Sequence, residues 1–363
     1  MFVLFSMNPN VFFPVLFFIL FLFHTKAYPI TDSTSVFVGS QLHYGFIIAH
    51  SRSLTEISRT NPFGFTLELS RIRHTQKAWN ACNCLSQNGI AFSYFNFNNP
   101  AVLGESFNLF LFAEPQLVFG KINLSVRGGA GFSYLSRIYH PIDNPENLFF
   151  SRHLSGLLQA QINSRYWVSD NWTLRFGISY NHISNGGTRH PNKGMNFPVI
   201  NAGLEYVLNP MTLKPRSKIP PVKTNIFYLG LFANSRSLYE DVRSERKPVA
   251  GLQAGFYYPV ARMHAFGAAA EFLYDGARRE KIRRGEESGN FYTVAPLFRH
   301  HLLFGRFDFS QAMGVYLIRP SDKAFFQRYA LEYQLKRYLK GGFSLKAHGH
   351  VAEQMDLRIM IVL

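Results

Sequence analysis

The run Asn181–Asn196, NHISNGGTRHPNKGMN, sets a histidine and a serine two residues apart, at His182 and Ser184. An imidazole that removes a hydroxyl proton turns serine into a nucleophile, and attack on a carbonyl then gives an acyl-enzyme. Asn185, Gly186, Gly187, Asn192 and Gly194 follow. These types close tight turns, and they offer amide or backbone N–H donors to a developing oxyanion. Taken alone, His-x-Ser is a short pattern that also arises by chance. The glycines equally suit a plain loop with positive φ at Gly187 and Gly194.

The strand leading into this run adds a second feature. Trp172, Leu174, Phe176, Ile178, Tyr180 and His182 share one parity, and Thr173, Arg175, Gly177, Ser179 and Asn181 the other. Strict alternation predicts a strand with one apolar and one polar face. His182, and Ser184 by continuation, join the apolar face, where a water-soluble enzyme has no reason to place them.

The same alternation recurs next door. Leu154, Leu158, Ala160, Ile162 and Tyr166 oppose Ser155, Gln159, Gln161, Asn163 and Arg165, and Ile200, Ala202, Leu204 and Tyr206 oppose Asn201, Gly203 and Glu205. In a barrel, Arg165, Arg175 and Glu205 point inward and pair, while the apolar face meets lipid. A soluble sandwich would use that face as its core instead.

About sixteen such segments can be read, with no convincing helix. They lie near 36–50, 62–72, 88–97, 106–119, 121–136, 154–168, 172–183 and 197–208, then 225–237, 249–261, 263–275, 291–301, 306–317, 325–338, 342–350 and 355–363. Tight turns are expected at Gly120–Lys121, Ser169–Asn171, Arg262–Met263, Gly305 and Gly341–Gly342. Longer polar loops alternate with them, as in outer-membrane barrels. The segment 73–87 is long where a short turn is due. The fold class read here is therefore all-β, an antiparallel outer-membrane barrel with eight strands in each half, arranged as tandem barrels or as one larger barrel.

Four domains follow: a signal peptide over 1–27, a first barrel region over 28–210, a Pro/basic linker over 211–223 and a second strand region over 224–363. The apolar run Val11–Phe23 is too short for a comfortable membrane helix and suits a signal-peptide core with cleavage near Ala27, although no Lys or Arg precedes it. Phe (37) and Tyr (18) are abundant and charged residues make up 17%, which favours a β protein with a large apolar exterior. The net charge of +16 comes from scattered residues without a basic helix, so an anionic membrane surface is expected and nucleic acid is not. The loop 276–290 is rich in arginine and suits either solvent or lipid phosphates. Cys82 and Cys84 form a Cys-x-Cys pair, read as a disulfide or as free thiols. His300–His301 should point to opposite faces, which argues against a shared ligand role.

His-x-Ser-Asn-Gly-Gly followed by Pro-Asn-x-Gly resembles the signature of the lipid A 3-O-deacylase (PagL-like) family, also called acyloxyacyl hydrolases. The resemblance spans roughly 36–210, with PENLFFSRHLSG before the run and GLEYVL after it. It implies an eight-stranded outer-membrane barrel that hydrolyses the ester holding the 3-position acyl chain of lipid A. His182 and Ser184 then match the family's base and nucleophile. The third member departs from the pattern: a glutamate is expected fourteen residues after the histidine, and Asn196 stands there. An asparagine carbonyl can orient the imidazole but supplies no charge, and amide-for-acid replacement costs a serine protease about 10⁴ in turnover. Glu205, facing inward, is a poor substitute. Asn192 and the Gly186–Gly187 N–H groups become the oxyanion donors, with Asn185 positioning the loop. This chemistry requires no metal or cofactor. The partner is lipid A or lipopolysaccharide in the outer leaflet, and a homodimer is compatible with the reading. The competing reading is a non-catalytic or porin-like barrel that keeps the loop, with Asn196 as its support.

Overall fold

The computed structural model describes residues 34–118, 120–211, 217–239, 245–320, 323–349 and 351–363. The expected signal peptide and the middle of the expected linker lie outside them. The first eight strands are β1 (Thr34–Gly45), β2 (Phe63–Arg73), β3 (Ser86–Asn96), β4 (Glu105–Val118), β5 (Ile122–Leu135), β6 (Leu154–Trp167), β7 (Trp172–Ser184) and β8 (Met195–Val207). Each pairs antiparallel with the next and β8 returns to β1, closing a barrel. A second closed barrel contains β9 (Ile226–Ser237), β10 (Arg246–Pro259), β11 (His264–Asp275), β12 (Tyr292–Phe304), β13 (Phe307–Val315), β14 (Phe325–Lys336), β15 (Leu339–His348) and β16 (Val351–Val362). Of the two architectures compatible with the sequence, tandem barrels are the one formed.

Alternation accounts for both closures. Along β6 and β7 the apolar set faces outward, with Ile162 66% and Ile178 62% exposed, while Arg165 and Arg175 are 1% and 0% exposed. An exterior this apolar is stable only against lipid, and closure satisfies every strand edge. Trp172 and Tyr206 meet edge to face at 4.9 Å near the short-turn end, and Tyr94 and Phe107 meet at 5.4 Å toward the long-loop end. Such rings suit the two membrane interfaces. No helix among the described residues is long and apolar enough to cross a membrane.

The first lumen is filled rather than open. Arg175 reaches Glu68 at 2.5 Å, Glu114 at 2.9 Å and Glu205 at 3.0 Å. Arg127 pairs with Glu68 and Glu114, and Arg165 with Glu205. Arg165 and Arg175 stand directly opposite each other on β6 and β7, so the carboxylates between them are obligatory. Gly39 makes room for those carboxylates: an added Cβ there would stand 3.0 Å from both the Glu205 and the Glu68 side chains. The second lumen is built likewise, with Arg328 bridging Glu271 and Asp356, and Lys340 paired to Asp308. Eight strands enclose a space about wide enough for side chains, and these buried ion pairs occupy it.

Several local expectations change. Gly341–Gly342 lies inside β15, not in a turn, and the connection from β14 is Arg337–Tyr338. The long 73–87 connection carries a short helix, α1 (Gln76–Trp79), and a disulfide joins Cys82 to Cys84. The arginine-rich loop contains α2 (Gly276–Arg283), capped by the Asp275 carboxylate accepting from the Arg278 N–H. Sequence composition hides such short helices because their caps, not their propensities, define them. His300 and His301 do face opposite ways: His301 is buried against Asp308, and His300 stacks on exposed His264.

Candidate active site

β7 carries His182 and Ser184 to its long-loop end, and β8 brings Asn196 directly across from His182. The His182 Nδ1–H donates to Asn196 Oδ1 at 2.7 Å. This bond selects the tautomer that leaves Nε2 with its lone pair, the form required of a base. Ser184 Oγ accepts from Asn192 Nδ2 at 3.0 Å and from the Gly186 N–H at 3.1 Å. Asn192 is held in turn, its Oδ1 accepting from the Asn185 N–H at 3.1 Å. Asn185 also ties the loop through Nδ2 to Ser151 Oγ and to the Arg189 carbonyl. Six of the seven residues singled out in the sequence thus form two linked groups, His182–Asn196 and Ser184–Asn192–Gly186–Asn185. Gly187 stands in the turn with φ +73, its carbonyl turned away from Ser184 to accept from Arg246.

Gly194 brings the two groups together. At φ +68 it lies so close that an added Cβ would be 3.0 Å from His182 Cε1 and 3.4 Å from Ser184 Cβ. No hydrogen bond joins His182 to Ser184 among the described residues. Bonds of this kind are often long before substrate binds.

The loop conformation is imposed from beneath. Ile183 and Met195, the inward neighbours of the site residues, are fully buried in an apolar cluster with Phe97, Leu135, Phe149, Phe150 and Phe197. Burying each such side chain contributes roughly 1.5–3 kcal/mol. The cluster gives the barrel mouth a core like that of a soluble protein. Phe149 and Phe150 belong to the 136–153 connection, whose Leu148 and Phe149 carbonyls accept from the Lys193 and Gly194 N–H groups. His50, from the β1–β2 connection, bonds the Lys193 carbonyl through Nε2 at 2.9 Å. Sequence reading missed His50 and Ser151. The PENLFFSRHLSG segment was itself visible, but nothing in its residue types tied it to the loop. The run 182–196 holds Arg189 and Lys193 and no acid, so its surface favours an anionic ligand.

A closed barrel with an apolar belt and a polar loop at its mouth defines an outer-membrane β-barrel protein. Residues 67–205 match the lipid A 3-O-deacylase (PagL) family, and residues 223–362 match the acyloxyacyl hydrolase C-terminal domain. The first barrel thus carries the lipid A 3-O-deacylase match and the second the acyloxyacyl hydrolase C-terminal match, and with two lipid-facing barrels this is a protein of the bacterial outer membrane. The resemblance read from 182–196 is borne out, and the second half gains a family it lacked in the sequence reading. No curated protein matches the chain. Among solved structures it is similar to Neisserial surface protein A (11% identity, 48% of this chain and 99% of that one, TM-score 0.33). It is also similar to the siderophore receptor PirA from Acinetobacter baumannii (10% identity, 88% of this chain and 56% of that one, TM-score 0.25). A third is a mutant Rh. blastica porin (10% identity, 91% and 100%, TM-score 0.21). These likenesses are too low to carry weight, and the fold rests on the two barrels themselves.

Proposed function

We propose that the first barrel is an esterase that removes the 3-O-linked acyl chain of lipid A, with Ser184 as nucleophile, His182 as base and Asn196 as the residue that orients the ring. The observation that carries this reading is the pair of donors, Asn192 Nδ2 and Gly186 N–H, converging on Ser184 Oγ at 3.0 and 3.1 Å. Donors so placed favour negative charge on Oγ as its proton is removed. His182, held by Asn196 with Nε2 free, takes the Ser184 proton as Oγ bonds to the ester carbonyl carbon. The bond to the sugar's 3-oxygen breaks, and that oxygen leaves with the proton from His182. Water, activated by the same imidazole, then frees the 3-hydroxy fatty acid and regenerates Ser184. The lipid-facing placement of His182 and Ser184 fits a substrate that lies in the outer leaflet against the wall.

Asn196 supports a slower enzyme than one with a carboxylate at that place, since an amide does not neutralise the imidazolium. The alternative of a silent barrel rests on the same amide, whereas the porin-like alternative is disfavoured by the filled lumens. The test is to express the wild type and Ser184→Ala in a host whose lipid A carries the 3-O-ester, and to read lipid A by mass spectrometry. Wild type should lower the mass by one hydroxyacyl group and Ser184→Ala should not. Unchanged lipid A with folded wild-type protein would overturn the esterase reading in favour of the silent barrel.

A further inference from the structure

The second barrel touches the site loop of the first. Arg246, the first residue of β10, donates through Nη1 to the Gly187 carbonyl at 3.0 Å. Beside it, an added Cβ on Gly186 would stand 2.6 Å from the Met355 Cε, on the outward face of β16. β16, β9 and β10 are consecutive in the second barrel, so both contacts come from one stretch of wall. The barrels also meet at the short-turn end. Arg262 donates to the Asn80 carbonyl, and the Gly305 N–H to the Ala81 carbonyl at 3.1 Å. There Asn83 of the Cys82–Cys84 segment bonds Ile219 of the linker, and Trp79 Nε1 of α1 donates to the Ser217 carbonyl. Contacts at both ends fix the wall that carries Arg246.

We propose that the second barrel completes the active site of the first, with Arg246 as a positioning residue that holds the Gly186–Gly187 turn in the shape that donates to Ser184. This rests on the esterase reading above. Two successive glycines are the most conformationally free pair a chain can offer, so the direction of the Gly186 N–H must be set by what grips the turn. From inside, Asn185 Oδ1 accepts from the Thr188 N–H at 3.1 Å, and the Asn185 carbonyl accepts from Thr188 Oγ1 at 3.0 Å. From outside, the grip is Arg246. Its guanidinium is already oriented within the second barrel, by Nε to Ser235 Oγ at 3.0 Å, Nη1 to Ser237 Oγ at 2.9 Å and Nη2 to the Ser235 carbonyl. A planar group held by its own barrel can fix a neighbour's carbonyl with little further loss of freedom.

The test uses the full chain, refolded with lipid A that carries the 3-O-ester, and compares Arg246→Ala and Arg246→Lys with wild type and Ser184→Ala. Losing one charged hydrogen bond to the turn should lower kcat about tenfold while KM stays unchanged, because the turn's donors act on charge that develops only in the transition state. Arg246→Lys should recover part of that loss. Amide exchange over 185–189, followed by mass spectrometry, should quicken in Arg246→Ala whether or not turnover occurs. Wild-type kcat in Arg246→Ala, or unchanged exchange at 185–189, overturns the proposal. Should Arg246→Ala fail to fold, Arg246→Met keeps the apolar stem while removing every donor to the Gly187 carbonyl, and an unchanged kcat there overturns it equally. A wild type without turnover defeats the esterase reading alone, and the exchange comparison still decides the role of Arg246.

Discussion

Asn196→Asp replaces the amide that holds His182 by a carboxylate of the same size. At 2.7 Å from Nδ1, Oδ1 already occupies the acceptor position, so the substitution changes charge and leaves shape alone. A hydrogen bond to a charged partner contributes roughly 1.5–3 kcal/mol against about 1 kcal/mol for a neutral one. The difference, about 1.5 kcal/mol, appears when the imidazolium forms and corresponds to about tenfold in kcat. The reference loss of about 10⁴ for an amide in a serine protease arises where the amide forces the wrong tautomer. In this site the carbonyl faces the ring, so that larger loss should be absent. Fatty acid release from lipid A by purified Asn196→Asp should therefore rise about tenfold at neutral pH. A rise of a thousandfold or more would mean that Asn196 turns its amide nitrogen to the ring. No rise would mean that Asn196 does not orient the base in the reacting state. Asn196→Glu should gain less than Asn196→Asp, because the extra methylene must fold away from a gap already filled at 2.7 Å.

Gly194→Ala should cut deacylation more than tenfold while the barrel still folds, since its Cβ would press on His182 at 3.0 Å and the backbone sits at φ +68; lipid A mass spectrometry and heat-modifiable gel mobility read the two effects separately. Arg175→Gln leaves Glu68, Glu114 and Glu205 with one buried cation fewer. Unfolding free energy in urea should drop by about 3–5 kcal/mol, the cost of breaking a buried ion pair from one side; a drop below 1 kcal/mol would contradict the network drawn here. On α2, hydrogen bonds from Arg283 and Arg284 draw the Glu280 carboxyl from its ordinary 4.5 down to about 2. A depressed carboxyl stabilises the fold above its unfolded value and loses that contribution as pH falls. Amide protection over 276–290 should thus hold from neutral pH to about 5 and decline between 4.5 and about 2.

Much of this architecture is legible in the chain because β-strand parity is a local property. Residues two apart share a face whatever the partners, so Arg165, Arg175 and Glu205 could be turned inward, and His182 and Ser184 outward, before any strand was paired. Loop lengths, likewise local, separated the two ends of the barrel and marked 73–87 as out of place. The motif at 182–196 named the family because its glycines and asparagines hold a fixed spacing along one segment.

The number of barrels was another matter. Sixteen strands with the same alternation close as one ring or two, and only the return of β8 to β1 and of β16 to β9 decides it. Gly341–Gly342 illustrates the limit of local signals, since paired glycines read as a turn and β16 recruits them into a strand. The site divides in the same way. His182, Ser184 and Asn196 lie on two adjacent strands joined by the single 185–194 loop, and sequence order alone nearly assembles them. His50, Ser151, Phe149 and Arg246 come from connections and from a second barrel far along the chain. Their places depend on closure and on packing between distant segments, and neither leaves a periodic trace in the sequence. The residue types that do the chemistry were therefore written locally, whereas what holds the turn beside Ser184 was decided only when two closed barrels met.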